Sequence, residues 1–358
     1  MKIPLKTKSI FSGLSKYRFR TIFYIAIFWT LIDLIGTLIT QDTHKLNPVK
    51  SLLVREVFVF LMSCIMGYLF VFTLKKVFRN NSLWVNFVFK SMVLLISAFA
   101  MNFLVHFVDT KFILGYSGYQ AMEAFSQEMA QKNWLLQKII YWMSLFMVTQ
   151  LYIEINEKYS PGVFMDILRG KYIQPINENR IVMFMDLRDS TGIAEKLGHQ
   201  LNFRFIRDFI HHVSMSLIDN DGRIYQYVGD EIVVSWLYEK ENIKKCLASI
   251  IAARKNIQAN SEEFRRLYDI VPEFRIGIHI GEVTVGEIGV IKKDLAMSGD
   301  TMNTTARIRS ACNELNQKFI VSKNFVELSE LEEFQFESLG VVELKGKAAG
   351  LELFSLKI

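Results

Sequence analysis

Residues 223–236 read RIYQYVGDEIVVSW. Two runs rich in β-branched and aromatic residues flank a Gly229-Asp230-Glu231 tip, the pattern of a β-hairpin with a tight Gly-Asp turn. A surface hairpin has no need of an acidic pair at its tip, and Gln226 interrupts an otherwise apolar strand. Outward from the hairpin, RIVMFMDL (180–187) reads as a buried strand, and 191–218 as a helical stretch with Gly198 as its break. A long helix covers roughly 241–268, FRIGIHIGEVTVGEIG (274–289) is a strand and turn, and TMNTTARIRSACNEL (301–315) is a helix. The remainder is mainly short strands. Strand–helix–hairpin–helix–strand is the order of an α+β ferredoxin-like core with an added C-terminal subdomain.

Upstream of this region the composition changes. The chain has 358 residues, 51% of them hydrophobic, and the excess lies in the first 155. Four apolar stretches, roughly 21–40, 57–74, 84–108 and 134–155, each approach the ~20 residues a helix needs to cross a bilayer. The reading is an α-helical membrane domain of four transmembrane helices over 1–155, a helical linker over 156–178, and a catalytic domain over 179–358. In the linker, Pro161-Gly162 and Pro175 are breaks around the short helical segment VFMDILRG.

The net charge of +6 divides unevenly. Residues 1–179 hold 19 Lys/Arg against 10 Asp/Glu, whereas 180–358 hold 23 against 26. The basic excess belongs to the membrane half, so nucleic acid is not an expected partner. Lys2, Lys6, Lys8, Lys16, Arg18 and Arg20 precede the first span, and Lys75, Lys76 and Arg79 follow the second. The 109–133 loop carries only Lys111 and Lys132 against three acids. Positive-inside bias therefore places the N-terminus and the catalytic domain in the cytoplasm, on the inner or plasma membrane. The first span lacks a cleavage site and is not a signal peptide. Cys64, Cys246 and Cys312 have no metal-ligand spacing and are expected as reduced thiols.

Three stretches carry chemistry. FMDLRDST ends a buried strand with Asp186, and YVGDE places Asp230 at the hairpin tip. In a ferredoxin-like core the first strand lies beside the central hairpin, so the two carboxylates can converge at one end of the sheet. Two aspartates in a cleft suit hard cations such as Mg²⁺ and Mn²⁺, with water and phosphate oxygens completing the shell. The third stretch, SGDTMNTTARI, sets Asn303 and Arg307 four apart on one helix face. An Asn can orient a sugar and an Arg can neutralise a phosphoryl group in transit. Taken singly, each has an ordinary reading as a turn, a cap or a solvated helix face.

Together, FMDLRDST, GRIYQYVGDE, GIHIGEV, SGDTMNTTARI and ELKGKAAG closely resemble the catalytic domain of the class III nucleotidyl cyclases, the adenylyl and guanylyl cyclases. Diguanylate cyclases share the fold, but their Gly-Gly-Asp/Glu-Glu-Phe signature is absent. The resemblance implies that Asp186 and Asp230 bind two divalent cations, Mg²⁺ or Mn²⁺. It implies that Asn303 positions the ribose, Arg307 stabilises the transition state, and Lys345 contacts the terminal phosphates. The implied reaction is attack of the ribose 3′-hydroxyl on the α-phosphate with loss of pyrophosphate, in a homodimer whose sites draw on both subunits.

In that family the purine is chosen by one position in the first hairpin strand and one just before the Gly-Asp loop. Adenylyl cyclases usually have Lys with Asp or Thr there, and guanylyl cyclases Glu with Cys. This chain has Gln226 and Ala296, with Asp294 two residues away. A Gln amide offers both a donor and an acceptor and can satisfy either purine edge, while Ala296 adds no polar discrimination. Absence of the guanine-reading Glu points to ATP. A guanylyl or dual-specificity cyclase is the alternative, and a membrane receptor with a catalytically degenerate nucleotide-binding domain is a second.

Secondary candidates are weaker. His279 is expected to be structural, His211-His212 to lie on a helix surface, and Asp189 and Glu231 to tune or cap rather than bind metal. Within or beside the spans lie Asp33, Arg55, Glu56, Lys90, His106 and Lys138. Lys90 and Lys138 are placed to snorkel, Arg55-Glu56 is assigned to the outer interface, and Asp33 to a polar helix contact within the dimer. The linker is expected to couple membrane-helix geometry to the catalytic halves.

Overall fold

The computed structural model describes residues 13–39, 48–73, 83–131, 133–158, 163–291, 293–329, 336–343 and 350–358. Two compact units divide at Lys158/Tyr159.

The first unit is a helical bundle. Its helices are α1 (Gly13–Ile39), α2 (Pro48–Tyr68, ending in a π-helical turn Leu69–Thr73), α3 (Leu83–Val108, ending in a π-helical turn Asp109–Ile113), α4 (Gly118–Met129) and α5 (Trp134–Lys158). Ile25, Trp29, Met66, Phe70, Leu94, Trp142 and Phe146 form its core, while Phe23, Leu31, Leu61, Ile96 and Ile140 are exposed on its outside. An apolar exterior around an apolar core is the pattern of helices solvated by lipid. Among the described residues, three segments are long and apolar enough to cross a membrane: Arg18–Ile39, Val49–Thr73 and Trp84–Ile113. The expected fourth span does not reach that standard, because Gln137, Lys138, Gln150 and Glu154 dilute α5. This helix nevertheless closes the bundle. Trp29 Nε1 donates to Thr149 Oγ1 at 2.8 Å, and Lys90 Nζ to Gln150 Oε1 at 3.1 Å.

Two further expectations change here. The 109–133 loop contains α4, whose N-terminus is closed by a reciprocal Ser117–Gln120 capping box. Glu128 of α4 accepts from Trp134 Nε1 (3.1 Å) and pairs with His106 Nδ1 (2.7 Å). Asp33 is 2% exposed and its carboxylate is taken up within its own chain. Arg55 donates Nε to Oδ2 (2.6 Å) and Nη2 to Oδ1 (3.0 Å), and Tyr141 Oη donates to Oδ1 (3.1 Å). Arg55 thus serves a bundle contact between α1, α2 and α5. The basic flanks at Lys2, Lys6, Lys8, Lys75, Lys76 and Arg79 lie outside the described residues.

The second unit begins with the short linker helix α6 (Val163–Leu168) and continues as β1 (Ile176–Leu187), α7 (Ser190–Asp219), β2 (Arg223–Val228), β3 (Glu231–Leu237), α8 (Lys240–Ala259), α9 (Ser261–Tyr268), β4 (Phe274–Ile288), β5 (Asp294–Ser298), α10 (Asp300–Glu314), β6 (Phe319–Ser322), α11 (Lys323–Ser329), β7 (Phe336–Val342) and β8 (Leu351–Leu356). The sheet runs β2-β3-β1-β4-β6-β8-β7, with β5 on β4. Its first four strands, all antiparallel, have the ferredoxin-like order, and β4–β6 is a parallel pair. The single helix expected over 241–268 is two, parted at Asn260. Gly198 bends α7 with φ 70°.

Alternation along β1 separates two faces. Ile181, Met183 and Met185 point into a large core with Phe205, Phe209, Ile250 and Phe264 from α7, α8 and α9. Val182 and Phe184 face the other way, with Val233, Val283 and Val285. Across this second face lies α10. It approaches so closely that a Cβ on Gly277 of β4 would stand 2.4 Å from the backbone N of Arg309, and one on Gly281 2.5 Å from Thr301 Oγ1. These two glycines set the depth at which α10 sits on the sheet.

Candidate active site

Register builds the site. β1 and β3 pair from Arg180↔Leu237 to Met185↔Ile232, so the next residue of β1, Asp186, arrives beside the β2–β3 turn that carries Asp230. Asp186 also shares the sheet face of Val182 and Phe184 by alternation. Gly229 turns the chain with φ 63°, the left-handed region that favours glycine. The Asp230 carboxyl stands close enough to that of Asp186 to act on its charge. Burial, together with the neighbouring Asp230 carboxylate, outweighs the nearby Arg309 and pushes the Asp186 carboxyl up to about 7. Oδ2 of Asp230 is buried and takes no hydrogen bond.

A buried carboxylate oxygen without a partner, next to a second carboxylate, offers hard oxygen donors of the kind that Mg²⁺ and Mn²⁺ prefer. No group of three or more His, Cys, Asp or Glu among the described residues is arranged as a cage for a metal. A two-carboxylate site suits a metal that keeps water or phosphate oxygens in the rest of its shell. The residues therefore fit the divalent cations expected from the sequence.

Sequence reasoning overlooked Arg309. Its guanidinium reaches from α10 to this cluster: Nη2 and Nε lie 2.6 and 2.8 Å from Glu231 Oε2, and Nη1 lies 3.2 Å from Asp186 Oδ2. Glu231, expected to tune or cap, holds this arginine. Asp189 opens α7 in a left-handed conformation (φ 57°) and makes no capping hydrogen bond.

Asn303 and Arg307 are on α10, but on a different side from Arg309. At roughly 100° per residue, Arg307 and Arg309 diverge by about 160°, whereas Asn303 and Arg307 fall within about 40° of each other. Thr301, Thr304, Thr305, Ile308 and Cys312 form the buried stripe, Asn303 is exposed and Arg307 half-buried. Within one chain, the Asn303/Arg307 pair is thus turned away from the aspartates.

Gln226 is exposed on β2, where it pairs with Val233 after a bulge between Ile224 and Gln226. Ala296 on β5 pairs with Gly286. The Met297 backbone N–H donates to Tyr225 Oη at 3.0 Å, so the strand segments carrying Gln226 and Ala296 are neighbours. Lys345 lies outside the described residues. His279 is buried with Nδ1 2.8 Å from Ser322 Oγ, a structural role. His211 and His212 stack edge to face on α7. All three cysteines are free, with Cys246 and Cys312 buried.

Known proteins match the second unit. The family profile "Adenylate and Guanylate cyclase catalytic domain" matches residues 172–357. Adenylate cyclase 2 of Rhizobium meliloti (strain 1021) is 30% identical over 206 residues, 57% of this chain and 57% of that protein. Adenylate cyclase of Anabaena cylindrica is 23% identical over 214 residues, 56% of this chain and 42% of that one. The chain thus spans about half the length of these relatives. A bacterial light-regulated adenylyl cyclase of known structure has the same fold in its matching part, with TM-score 0.53 at 18% identity, covering 63% of this chain and 66% of that one.

Proposed function

The chain belongs to the adenylate and guanylate cyclase catalytic domain family, and from that premise we propose that it is a membrane-anchored adenylyl cyclase forming 3′,5′-cyclic AMP and pyrophosphate from ATP. The observation that carries this reading is the division of the motif residues over two sides of one subunit. Asp186 and Asp230 meet at the sheet end, while Asn303 and Arg307 lie on the far side of α10. A second copy of the chain supplies the missing half of each site, so the active form is a symmetric homodimer with two equivalent sites.

In such a site Asp186 and Asp230 hold the divalent cations. When bound, these favour ionisation of the ribose 3′-hydroxyl and neutralise the triphosphate. Asn303 of the other chain orients the ribose so that the 3′-oxygen faces the α-phosphate. Arg307 donates to the α-phosphoryl oxygens as charge builds there, and Lys345 neutralises the terminal phosphates. Positioning and charge stabilisation supply most of the acceleration.

Gln226 and Ala296 read the base. With the amide oxygen toward N6 and the amide nitrogen toward N1, Gln226 satisfies adenine. The reverse orientation satisfies guanine, so a guanylyl or dual-specificity enzyme is the second reading. The bundle anchors this unit to a bilayer, and four helices including α5 would leave both ends of the bundle in the cytoplasm. Purified full-length protein with Mn²⁺, offered ATP and GTP separately, tests the function by the cyclic nucleotide formed. Cyclic AMP from ATP alone is expected. Cyclic GMP from GTP alone, or both products equally, would replace the substrate assignment. No product from either would replace the enzyme by a nucleotide-binding receptor.

A further inference from the structure

Arg307 and Arg309 leave α10 in nearly opposite directions, and the motif resemblance implies a role for only the first. The second makes three contacts of unequal quality. A 2.8 Å hydrogen bond from Nε and a 2.6 Å ion pair from Nη2, both to Oε2, fix the guanidinium to Glu231, while the reach to Asp186 is a single 3.2 Å ion pair. Arg309 and Asp186 are 24% and 19% exposed, so the pair is only weakly screened by water. The stem of Arg309 cannot retreat, because α10 is seated on Gly277 at this residue. Any movement is confined to the end of the side chain.

We propose that Arg309 is the internal counter-cation of the metal site, neutralising Asp186 while no metal is bound and withdrawing onto Glu231 when a divalent cation takes the two aspartates. The inference rests on the reading of Asp186 and Asp230 as the metal pair. Its logic is charge balance. Asp186, Asp230 and Glu231 crowd one sheet end, and a guanidinium in their midst offsets the repulsion. With a divalent cation held by the aspartates, Arg309 would face a like charge and would have to share the Asp186 carboxylate with it. Because the Glu231 bonds are the shorter pair, the Asp186 contact is the one that opens. Arg309 thus sets how tightly the site takes metal. One helix thereby serves two sites, with Arg309 facing its own chain's aspartates and Arg307 facing the partner's.

The test is Mn²⁺ binding to the nucleotide-free full-length protein, followed by the electron paramagnetic resonance of free Mn²⁺. Wild-type protein that binds no Mn²⁺ at the Asp186/Asp230 pair would remove the metal reading itself, and this inference with it. Given wild-type binding, Arg309→Met is expected to bind Mn²⁺ about tenfold tighter, the order of effect that one close charge has on a carboxylate. Arg309→Lys, which keeps the charge, is expected to stay near wild type. Equal or weaker binding by Arg309→Met would overturn the proposal, since loss of a merely structural residue does not tighten a metal site. If Arg309→Met leaves Glu231 too poorly compensated to fold, Arg309→Met with Glu231→Gln removes both charges. Tighter binding than wild type is again expected, and unchanged or weaker binding again overturns it.

Discussion

Asp166 of the linker helix α6 and Arg223, the first residue of β2, face each other with Oδ2 and Nη1 3.3 Å apart. The contact joins the linker to the strand that carries Gln226 and leads into the Asp230 turn. It is a partly buried pair, worth about 0.5–1 kcal/mol. Asp166→Asn is expected to lower cyclase activity about threefold in the full-length protein, a shift of that size by the rate–energy relation, with Mn²⁺ affinity unchanged. The exchanged pair Asp166→Arg with Arg223→Asp should recover most of the loss. Unaltered activity in Asp166→Asn would mean that this contact transmits nothing.

Gly277 fixes the seat of α10. An added methyl would meet Arg309 N at 2.4 Å, Arg309 Cα at 2.8 Å and Thr305 O at 2.9 Å, all backbone atoms that cannot turn aside. Gly277→Ala is expected to destabilise the unit by about 1–3 kcal/mol, as overpacking does. It should also reduce activity more than tenfold, because every residue of α10 shifts with the backbone. Normal activity and hydrogen exchange in this variant would contradict the close approach.

Glu178 sits at the base of β1, 9% exposed, with Lys171 Nζ at 2.9 Å and Arg180 Nη2 at 2.6 Å. Burial pushes its carboxyl up, but the bond from Lys171 and the Arg180 charge outweigh this and hold it below the ordinary value of 4.5. A lowered carboxylate stabilises the fold above its unfolded value and loses that contribution as pH falls through the folded value. Protection of the β1 amides, corrected for intrinsic exchange, should therefore drop below about pH 4.5. In Glu178→Gln that drop should shrink. An identical pH profile in both proteins would refute the assignment.

Asp33, Arg55 and Tyr141 meet inside one bundle. Asp33→Ala leaves a guanidinium without its acceptor, and breaking such a buried pair costs about 3 kcal/mol. Thermal stability of the detergent-solubilised protein should fall while its oligomeric state, measured by light scattering, stays the same. Dissociation of the dimer would show that Asp33 acts between chains after all.

The placement of the motif residues was legible because each sits where sequence patterns are strongest. Asp186 ends an apolar run, Asp230 occupies a turn tip, and Asn303 and Arg307 have helical spacing. Arg309 was not legible. Its role depends on which side of α10 meets the sheet, and that is set by Gly277 and Gly281 on a strand more than twenty residues upstream. Helix α4 carried a readable start signal in Ser117-x-x-Gln120, obscured by its polar composition. Asn260 divides α8 from α9 with no glycine or proline to announce it. Asp33 was recognised as important, but its partner could not be known before α1, α2 and α5 were packed together.

The shared site is the centre of this account, and complementation tests it most directly. Asp230→Ala and Arg307→Ala chains, each inactive alone, are co-expressed with different tags and purified as the heterodimer. One of the two sites then retains Asp186, Asp230, Asn303 and Arg307 together, so cyclic nucleotide formation is expected at about half the wild-type rate per dimer, as two equivalent sites imply. A heterodimer that forms but stays inactive would contradict the account, because the four residues would then have to act within a single chain.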